Sequence, residues 1–310
     1  DTEIAAATFT LSDAQRCIAR EYGFASWPRL RAAVVDPASS EVLVDLIKDR
    51  RFRQAVDLVD EGDADRLAVH LSRYPQLARQ REVFEGRNYF TSPSLLEFIA
   101  ENPVREGVLS SAVLKVARVI LDAGADADAM TATLTLVASG RVARECEVQV
   151  PLIDLLCSRG ADAAAALQAA VAHKEVTAVH ALLRHGAPLD LPTASALNQP
   201  SDIARLLPGT TETELSRGLA LAAMYGHAEV ARTLLDAGAD PDHYNPPGAH
   251  AHSTPLHQAA LEGHLGVIEA LLACGARRDI KDIHHRATPA DWARHAGQHA
   301  AAARLDGEPD

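Results

Sequence analysis

The chain has 310 residues and a formal net charge of −12, which argues against a general electrostatic attraction to nucleic acid or to an anionic membrane. Aromatic residues make up only 4% of the chain, and its wealth of alanine and leucine favours thin layers of small helices over a sandwich of β-sheets. No apolar run approaches the roughly 18 residues that span a bilayer, and no secretory signal peptide is visible, so the sequence predicts no membrane association.

The cysteines give no sign of a metal or redox site. Cys17, Cys146, Cys157 and Cys274 are scattered without CxxC spacing, and each stands in an apolar helical context. We therefore expect buried, reduced thiols and a cytoplasmic protein. The sequence begins at Asp1 instead of a methionine, which is compatible with removal of an upstream targeting segment.

The first segment is predicted to be helical. A capping box formed by Ser12 and Gln15 begins one helix, Gly23 ends it, and a second short helix is expected over 26–35. Three of the chain's few aromatic side chains fall here, and their commonest role is packing against neighbouring helices. We expect residues 1–38 to form a helical cap over the elements that follow.

The next stretch is predicted to contain a degenerate repeat and two insertions. Its pattern predicts helices near 41–48, 51–60 and 64–73. Longer connections follow at 79–91 and 101–111. These two connections go beyond what a bare stack of helices needs.

A helix-closing Gly-Ala pair then recurs along the chain at intervals of 36, 26, 52 and 37 residues. The glycines of these pairs are Gly124, Gly160, Gly186, Gly238 and Gly275. The longest interval divides once more at residues 203–209, which occupy a second-helix position. The spacing predicts about seven repeats, irregular in the middle of the chain and clearest near its C-terminus.

The stretch 236–275 shows one repeat in full. It contains a helix end, a long polar loop, the sequence Thr254-Pro255-Leu256-His257, a break at Gly263-His264 and an apolar run that ends at Gly275. Pro255 suits the first turn of a helix, where its missing N–H costs nothing. The order and spacing of these motifs resemble one complete ankyrin repeat. Related helix openings stand at 93–100 and at 288–293.

The resemblance covers nearly the whole chain and implies an all-α fold, an ankyrin-repeat solenoid of helix-turn-helix units with an N-terminal helical cap. The cap would span 1–38 and the repeat array 39–310. Residues 18–34, IAREYGFASWPRLRAAV, are similar to a helical segment that precedes ankyrin repeats in bacterial proteins. The family implies a protein-interaction module that binds a protein partner through hairpin tips and the concave face, without a cofactor.

The richest polar cluster lies in the loop between Asp240 and His257. In an extended strand His250 and His252 would point to the same side, where a third ligand could complete a metal site. Solvated or loop-stiffening roles and contact with a partner are the stronger interpretations, and we expect no metal. The candidate binding residues are Asp242, His243, Tyr244, Asn245, His250 and His252, with Tyr225, His284 and Trp292 nearby in the array.

Other histidines are assigned to structure. His257 belongs to the TPLH motif, and His227 and His264 follow the glycine of the break between paired helices. Within the family pattern such histidines belong to the turn and to backbone hydrogen bonds. We therefore expect these three side chains to have structural roles.

Three functions remain open at this point. The preferred hypothesis is a bacterial cytoplasmic binding protein whose acidity favours a basic partner surface. The alternative is an enzyme or small-molecule binder, with His250 or His252 as general acid or base and Tyr244 as a hydrogen-bond donor. A third hypothesis is a protein that blocks a toxin or effector. The sequence contains no P-loop, GxSxG, HExxH or dinucleotide-binding motif, so catalysis has no motif in its favour.

Overall fold

The computed structural model describes residues 46–84 and 90–307. The predicted cap at 1–38 and most of the helix predicted near 41–48 lie outside these residues, and residues 47–49 are not helical. The described residues are all-α, with an isolated bridge between Arg81 and Ser94 as their β-pairing, which confirms the predicted fold class. No helix in this part of the chain has the length and apolar character needed to cross a bilayer.

The helices follow one another closely along the chain. Short 3-10 helices cover Pro75–Ala78, Leu96–Ala100 and Leu207–Gly209. The α-helices in chain order are α1 Arg50–Glu61, α2 Ala64–Arg73, α3 Val113–Asp122, α4 Ala127–Ala138, α5 Arg141–Glu145, α6 Gln149–Ser158, α7 Ala163–Ala172, α8 Val176–Arg184, α9 Leu191–Ala196, α10 Pro200–Leu206, α11 Glu212–Tyr225, α12 Ala228–Asp236, α13 Pro255–Glu262, α14 Leu265–Ala273, α15 Pro289–His295 and α16 His299–Asp306.

The chain divides into two compact units at residues 166 and 167. In the first unit α1 packs against α2, α2 against α3, and α4 against α6. The predicted helix at 93–100 forms only as the 3-10 helix Leu96–Ala100. Its Phe98 is fully buried and makes edge-on contacts with Phe52 and Phe90. The aromatic residues that flank the 79–91 connection therefore belong to the core.

The 101–111 insertion is held by a buried ion cluster. The guanidinium of Arg105 lies 2.9 Å from an Asp60 carboxylate oxygen and 2.8 Å from one of Glu101, and these three side chains are at most 8% exposed. Glu101 also accepts the backbone N–H groups of Arg105, Glu106 and Gly107 through Oε2. Buried charges are stable only when they are paired and hydrogen-bonded. These contacts therefore fix the backbone path of the insertion.

In the second unit the first helices of successive pairs form one layer. Helix α9 packs against α11, α11 against α13 and α13 against α15. The second helices form the other layer, with α12 against α14 and α14 against α16. Leucine, isoleucine, valine and alanine side chains fill the space between the layers. Since small alanines such as Ala222 and Ala259 are fully buried there, the helices can approach closely.

The turns of the repeat keep their geometry even where the sequence pattern is lost. All five closing glycines have a positive φ, between 89° and 99°. After the first helix of a pair, Gly226 and Gly263 also have positive φ, whereas Glu147, Lys174 and Asn198 take the same left-handed conformation in the middle of the chain. A residue with a Cβ is disfavoured in this conformation, so the pattern leads one to expect glycine there. The central repeats lack that glycine and are therefore harder to recognise in the sequence.

The cysteines differ in part from the prediction. Among the described residues Cys146, Cys157 and Cys274 form no disulfide, but Cys274 is exposed and the other two are only half-buried. Burial raises the pKa of Cys157 to about 11, with Asp154 and Asp162 nearby adding to the effect. The Cys157 thiol is therefore protonated and unreactive. Cys17 lies outside the described residues.

Candidate functional site

Two neighbouring loops of the second unit bring together most of the predicted binding residues. We call residues 240–253 and 277–287 the loop pair. Asp242 accepts the backbone N–H of Arg277 at 2.8 Å, and the Tyr244 hydroxyl donates to the carbonyl of Lys281 at 2.7 Å. The backbone N–H of Ile283 donates to the carbonyl of His252 at 2.8 Å. These bonds join the two loops along their length, so their side chains form one surface.

Asp282 organises the second loop from inside. Its side chain is fully buried, and Oδ1 accepts the backbone N–H groups of His284 and His285 at 2.9 and 2.7 Å. Oδ2 accepts the N–H of Ala287 at 3.0 Å and the indole N–H of Trp292 at 3.1 Å. Burial by itself raises the pKa of this carboxyl, but the four donors outweigh it and hold the pKa well below its usual range. The loop is therefore built around a carboxylate anion.

Asn245 takes the place of Asp282 in the preceding repeat. Its backbone N–H donates to Ser253, just as that of Asp282 donates to Ala287. The Asn245 side chain is 3% exposed, and its amide N–H donates to the Ser253 hydroxyl at 3.3 Å. Its Oδ1 is buried without a hydrogen-bond partner among the described residues. A carboxylate at this position would be buried without donors, which accounts for an amide here.

The rings of the loop pair form an imidazole–indole cluster. His252 lies 4.7 Å from His284 and 5.6 Å from Trp292, measured between ring centroids. His250 meets His252 edge-on at 6.1 Å, and His257 meets Trp292 edge-on at 5.1 Å. The indole thus contacts His252 and His257, and His252 in turn contacts His250 and His284, so the predicted residues His250, His252, His284 and Trp292 lie together.

The backbone at His250 is not extended, although its ring contacts that of His252. Its φ is 59°, the left-handed conformation, so the extended strand that motivated the sequence interpretation is wrong. The two rings nevertheless meet because residues 250–253 form a tight turn, in which the Ser253 N–H donates to the His250 carbonyl at 3.1 Å. No group of three histidine, cysteine or acidic side chains among residues 46–84 and 90–307 has the geometry of a metal site.

The ring of His257 has a structural role. Its Nδ1 accepts the backbone N–H and the hydroxyl of Thr254 at 3.2 and 2.8 Å, and its Nε2–H donates to the carbonyl of Ala287 at 3.1 Å. This network requires a neutral ring with the proton on Nε2. Burial lowers the pKa of His257, which favours the same state. His257 therefore ties its helix to the next loop.

The histidines of the breaks are structural as well. The Nε2–H of His227 donates to the carbonyl of Ala196 at 2.9 Å, and that of His264 to the carbonyl of Met224 at 3.3 Å. Each bond runs to the first helix of the preceding repeat. Both side chains therefore link successive repeats.

Two imidazoles of the cluster, those of His250 and His252, have a pKa below the ordinary value for histidine. Burial lowers the pKa of His250, and the nearby His252 lowers it further. Burial also lowers the pKa of His252, together with the neighbouring His284. Because protonation would place like charges close together, the stacked arrangement favours uncharged rings.

Tyr225 lies apart from the loop pair, on the first-helix face. Its hydroxyl donates to the carbonyl of Val171 at 2.7 Å, and burial, with Glu175 nearby, raises its pKa. The Lys174 ammonium lies 6.0 Å from the Tyr225 ring centroid and forms an ion pair with Glu262 at 2.8 Å. The polar atom of Tyr225 is thus engaged within the fold.

The first loop of the pair folds back over this helical face. The Arg217 guanidinium, on α11, donates to the carbonyl of Pro247 at 3.2 Å. A Cβ placed on Gly248 would lie 3.6 Å from the side-chain oxygen of Gln168 on α7. The stiff Pro246–Gly248 segment therefore rests on first helices and does not project from them.

Sequence reasoning missed Asp282 and the cations around it. A weak local signal exists, because an aspartate in a loop often accepts the backbone N–H groups two and three residues later and so forms an Asx turn. Neither that pattern nor any other local signal reveals the fourth donor, the Trp292 indole, which reaches the carboxylate only after α15 is packed. The basic residues of the second loop were not assigned to the site from the sequence either.

Comparison with known proteins agrees with this architecture. A family model described as ankyrin repeats in three copies matches residues 193–282 and 219–305. The chain is 33% identical to cyclin-dependent kinase 4 inhibitor B of Bos taurus over 124 residues, which cover 39% of this chain and 92% of that protein. The chain belongs to the ankyrin-repeat family. Both regions matched by the model include all or most of the loop pair.

Other relatives match over shorter shares of their length. The chain is 38% identical over 82 residues to cyclin-dependent kinase inhibitor 2A of Monodelphis domestica, covering 26% of this chain and 46% of that protein. It is 37% identical over 97 residues to ARF GTPase-activating protein GIT1 of Homo sapiens. That match covers 31% of this chain but only 12% of the GIT1 protein.

Proposed function

We propose that this ankyrin-repeat protein is a protein-binding module whose contact surface is the loop pair. Its repeats and its relatives support a role in protein–protein interaction, and the relative covered over 92% of its length is named as an inhibitor of a cyclin-dependent kinase. The resemblance of residues 18–34 to a bacterial segment supports a bacterial, cytoplasmic setting. Residues 1–38 would cap the array of 39–310.

The observation that carries the proposal is a rigid loop surface with exposed rings. His243, Tyr244, His250 and His284 are exposed, while the backbone beneath them is held by bonds between the loops and by the buried Asp282. A surface ordered before binding loses less conformational entropy when a partner docks. Tyrosine, tryptophan and imidazole rings also offer large contact areas with few rotatable bonds.

The position of the first loop refines the expected binding mode. Because Pro247 and Gly248 rest on α11 and α7, a partner approaching this part of the second unit meets the loop before the helices. We therefore propose that hairpin loops, and not bare first helices, supply the main contacts here. Tyr225 and the Lys174–Glu262 pair would flank that surface.

The acid/base alternative rests on fewer groups. The ring nitrogens of His257 are fully engaged, and Nε2 of His227 and of His264 is bonded to backbone. The alternative names His250 or His252 as the general acid or base and Tyr244 as the hydrogen-bond donor, but the Tyr244 hydroxyl already donates to the carbonyl of Lys281. These engagements favour the binding function.

Affinity capture with matched variants tests the surface. Wild-type protein would be immobilised, exposed to lysate of the source organism and compared with His243→Ala/His252→Ala by quantitative mass spectrometry. The control, His295→Ala/His299→Ala, removes two exposed histidines from α15 and α16 outside the loop pair. We expect the loop variant to retain the partner about tenfold less than the control, since clustered aromatic contacts dominate binding energy. Equal retention by all three proteins would refute the surface.

A further inference from the structure

The second loop of the pair is basic although the chain as a whole is acidic. Residues 277–287 contain the cations Arg277, Arg278, Lys281 and Arg286 and only two carboxylates, in a chain of net charge −12. The sign of the local charge is therefore opposite to that of the whole molecule. In the first loop of the pair, Asp240 and Asp242 accept the backbone N–H groups of Asp242 and Arg277. A partner segment that docks on the second loop responds to the charge of that loop, because exposed charges farther away than about 10 Å are largely screened by salt.

Both carboxylates of this loop are already engaged. Asp279 forms two hydrogen bonds with the Arg277 guanidinium, at 3.1 and 3.0 Å. Asp282 is fully buried and accepts its four N–H donors. Neither carboxylate is paired with the cations farther along the loop.

Lys281 and Arg286 are two cations of this loop that a partner can reach. Both residues are exposed, and neither side chain makes an ion pair or hydrogen bond with the residues that the structure describes. The backbone on each side of them is fixed, because the Lys281 carbonyl accepts the Tyr244 hydroxyl and Asp282 and Ala287 pair at 2.8 Å. Two unpaired cations thus stand on a preorganised loop.

Imidazoles lie beside these cations and can add hydrogen-bond donors. His284 and His285 are exposed and their backbone is held by Asp282. A neutral imidazole carries one N–H donor and a protonated one carries two. Cations and donors arranged in this way recognise carboxylates through charge-assisted hydrogen bonds.

We infer that the loop pair binds an acidic segment of its protein partner through Lys281 and Arg286. The inference rests on the proposed function and specifies the chemistry of the partner. It differs from the basic partner surface expected from the net charge, since that sum counts carboxylates spread over the whole chain. The same net charge disfavours a long polyanion such as nucleic acid, which would meet the acidic remainder of the molecule.

Fluorescence anisotropy with two labelled peptides tests the inference. The probes are octaglutamate and octalysine, each carrying fluorescein, titrated with the full chain at low and at physiological salt. The test variant is Lys281→Glu/Arg286→Glu. The control is Lys115→Glu/Arg118→Glu, which makes the same change of charge at two exposed positions on α3 of the first unit. Circular dichroism would check that both variants keep their helix content.

We expect octaglutamate to bind the wild type and the control, and to bind the loop variant at least about tenfold more weakly, with affinity falling as salt rises. Failure of octaglutamate to bind, stronger binding of octalysine to the wild type, or an equal loss in both variants would overturn the inference. The affinity capture with His243→Ala/His252→Ala tests the proposed function independently of this peptide assay. If captured partner still depends on His243 and His252, the binding surface stands while the acidic-segment assignment falls.

Discussion

Removing the carboxylate of Asp282 should loosen the loop pair and the last repeats. The change Asp282→Ala deletes an acceptor that four N–H groups share, at distances from 2.7 to 3.1 Å. It leaves the exposed side chains of the loop in place. The variant therefore isolates the contribution of this buried anion.

The magnitude follows from where the four donors lie. Two belong to the exposed residues His284 and His285, where water can replace the carboxylate. The other two, on Ala287 and Trp292, are half-buried and lose their partner, at about 1–3 kcal/mol each. The alanine variant also avoids the cost of burying a charge, so we expect a loss in the lower part of that sum, about 2–4 kcal/mol.

Urea unfolding followed by Trp292 fluorescence measures this loss. The chain has two tryptophans, so a Trp27→Phe background makes Trp292 the sole reporter. Asp279→Ala in the same background is the control, because that carboxylate is exposed and paired only with Arg277. We expect the control transition to stay at the wild-type midpoint. A loss below about 1 kcal/mol in Asp282→Ala would refute the reasoning that the anion holds the loop.

Three further predictions address the rest of the fold. Arg105→Ala should cost about 3–5 kcal/mol because it removes the cation that lies against two buried carboxylates, those of Asp60 and Glu101. Arg141→Ala breaks an exposed ion pair and should cost about 0–1 kcal/mol, and similar urea midpoints for the two variants, followed by circular dichroism, would contradict this. Gly226→Ala and Gly275→Ala should each lower the free energy of unfolding by about 1–2 kcal/mol, because alanine is disfavoured in the left-handed conformation. Gly226→Ala should lower it further, because its Cβ would lie 2.8 Å from the His264 ring, whereas a Cβ on Gly275 would meet open space; equal shifts of the thermal midpoint would contradict this clash. Burial lowers the pKa of His257 below 6.5, so the unfolded state binds more protons than the folded state below that pH, and stability should be highest above pH 6.5 and fall as the pH drops through the folded-state pKa. A profile of urea midpoints that stays flat as the pH falls below 6.5 would contradict this expectation.

The repeat was readable from the sequence where its motifs are short and local. Helix starts such as Thr254-Pro255 and Thr288-Pro289 and the closing glycines depend on residues within one turn of each other. The structure places helices and left-handed turns at these positions. The candidate residues of the long loop were also identified, because histidine and tyrosine concentrate there.

The central repeats were harder to recognise for a physical reason. Glu147, Lys174 and Asn198 occupy a turn position where Gly226 and Gly263 are found in the regular repeats. Packing of the paired helices holds these residues in a conformation that they disfavour when isolated. At these three turns the left-handed conformation is kept, but the glycine of the repeat motif is absent. The sequence pattern is therefore weaker than the structural repeat.

The sequence by itself determined the helical repeat and showed which loop is rich in histidine. Only the tertiary structure decided how those side chains are used. Stacking of repeats brings Asp242 to Arg277 and His252 to His284, residues more than thirty positions apart, and packs α15 so that the Trp292 indole reaches Asp282. A local pattern reports the conformation of a few neighbouring residues, whereas contacts between loops, and the exposure of Lys281 and Arg286, depend on how whole repeats are placed against one another.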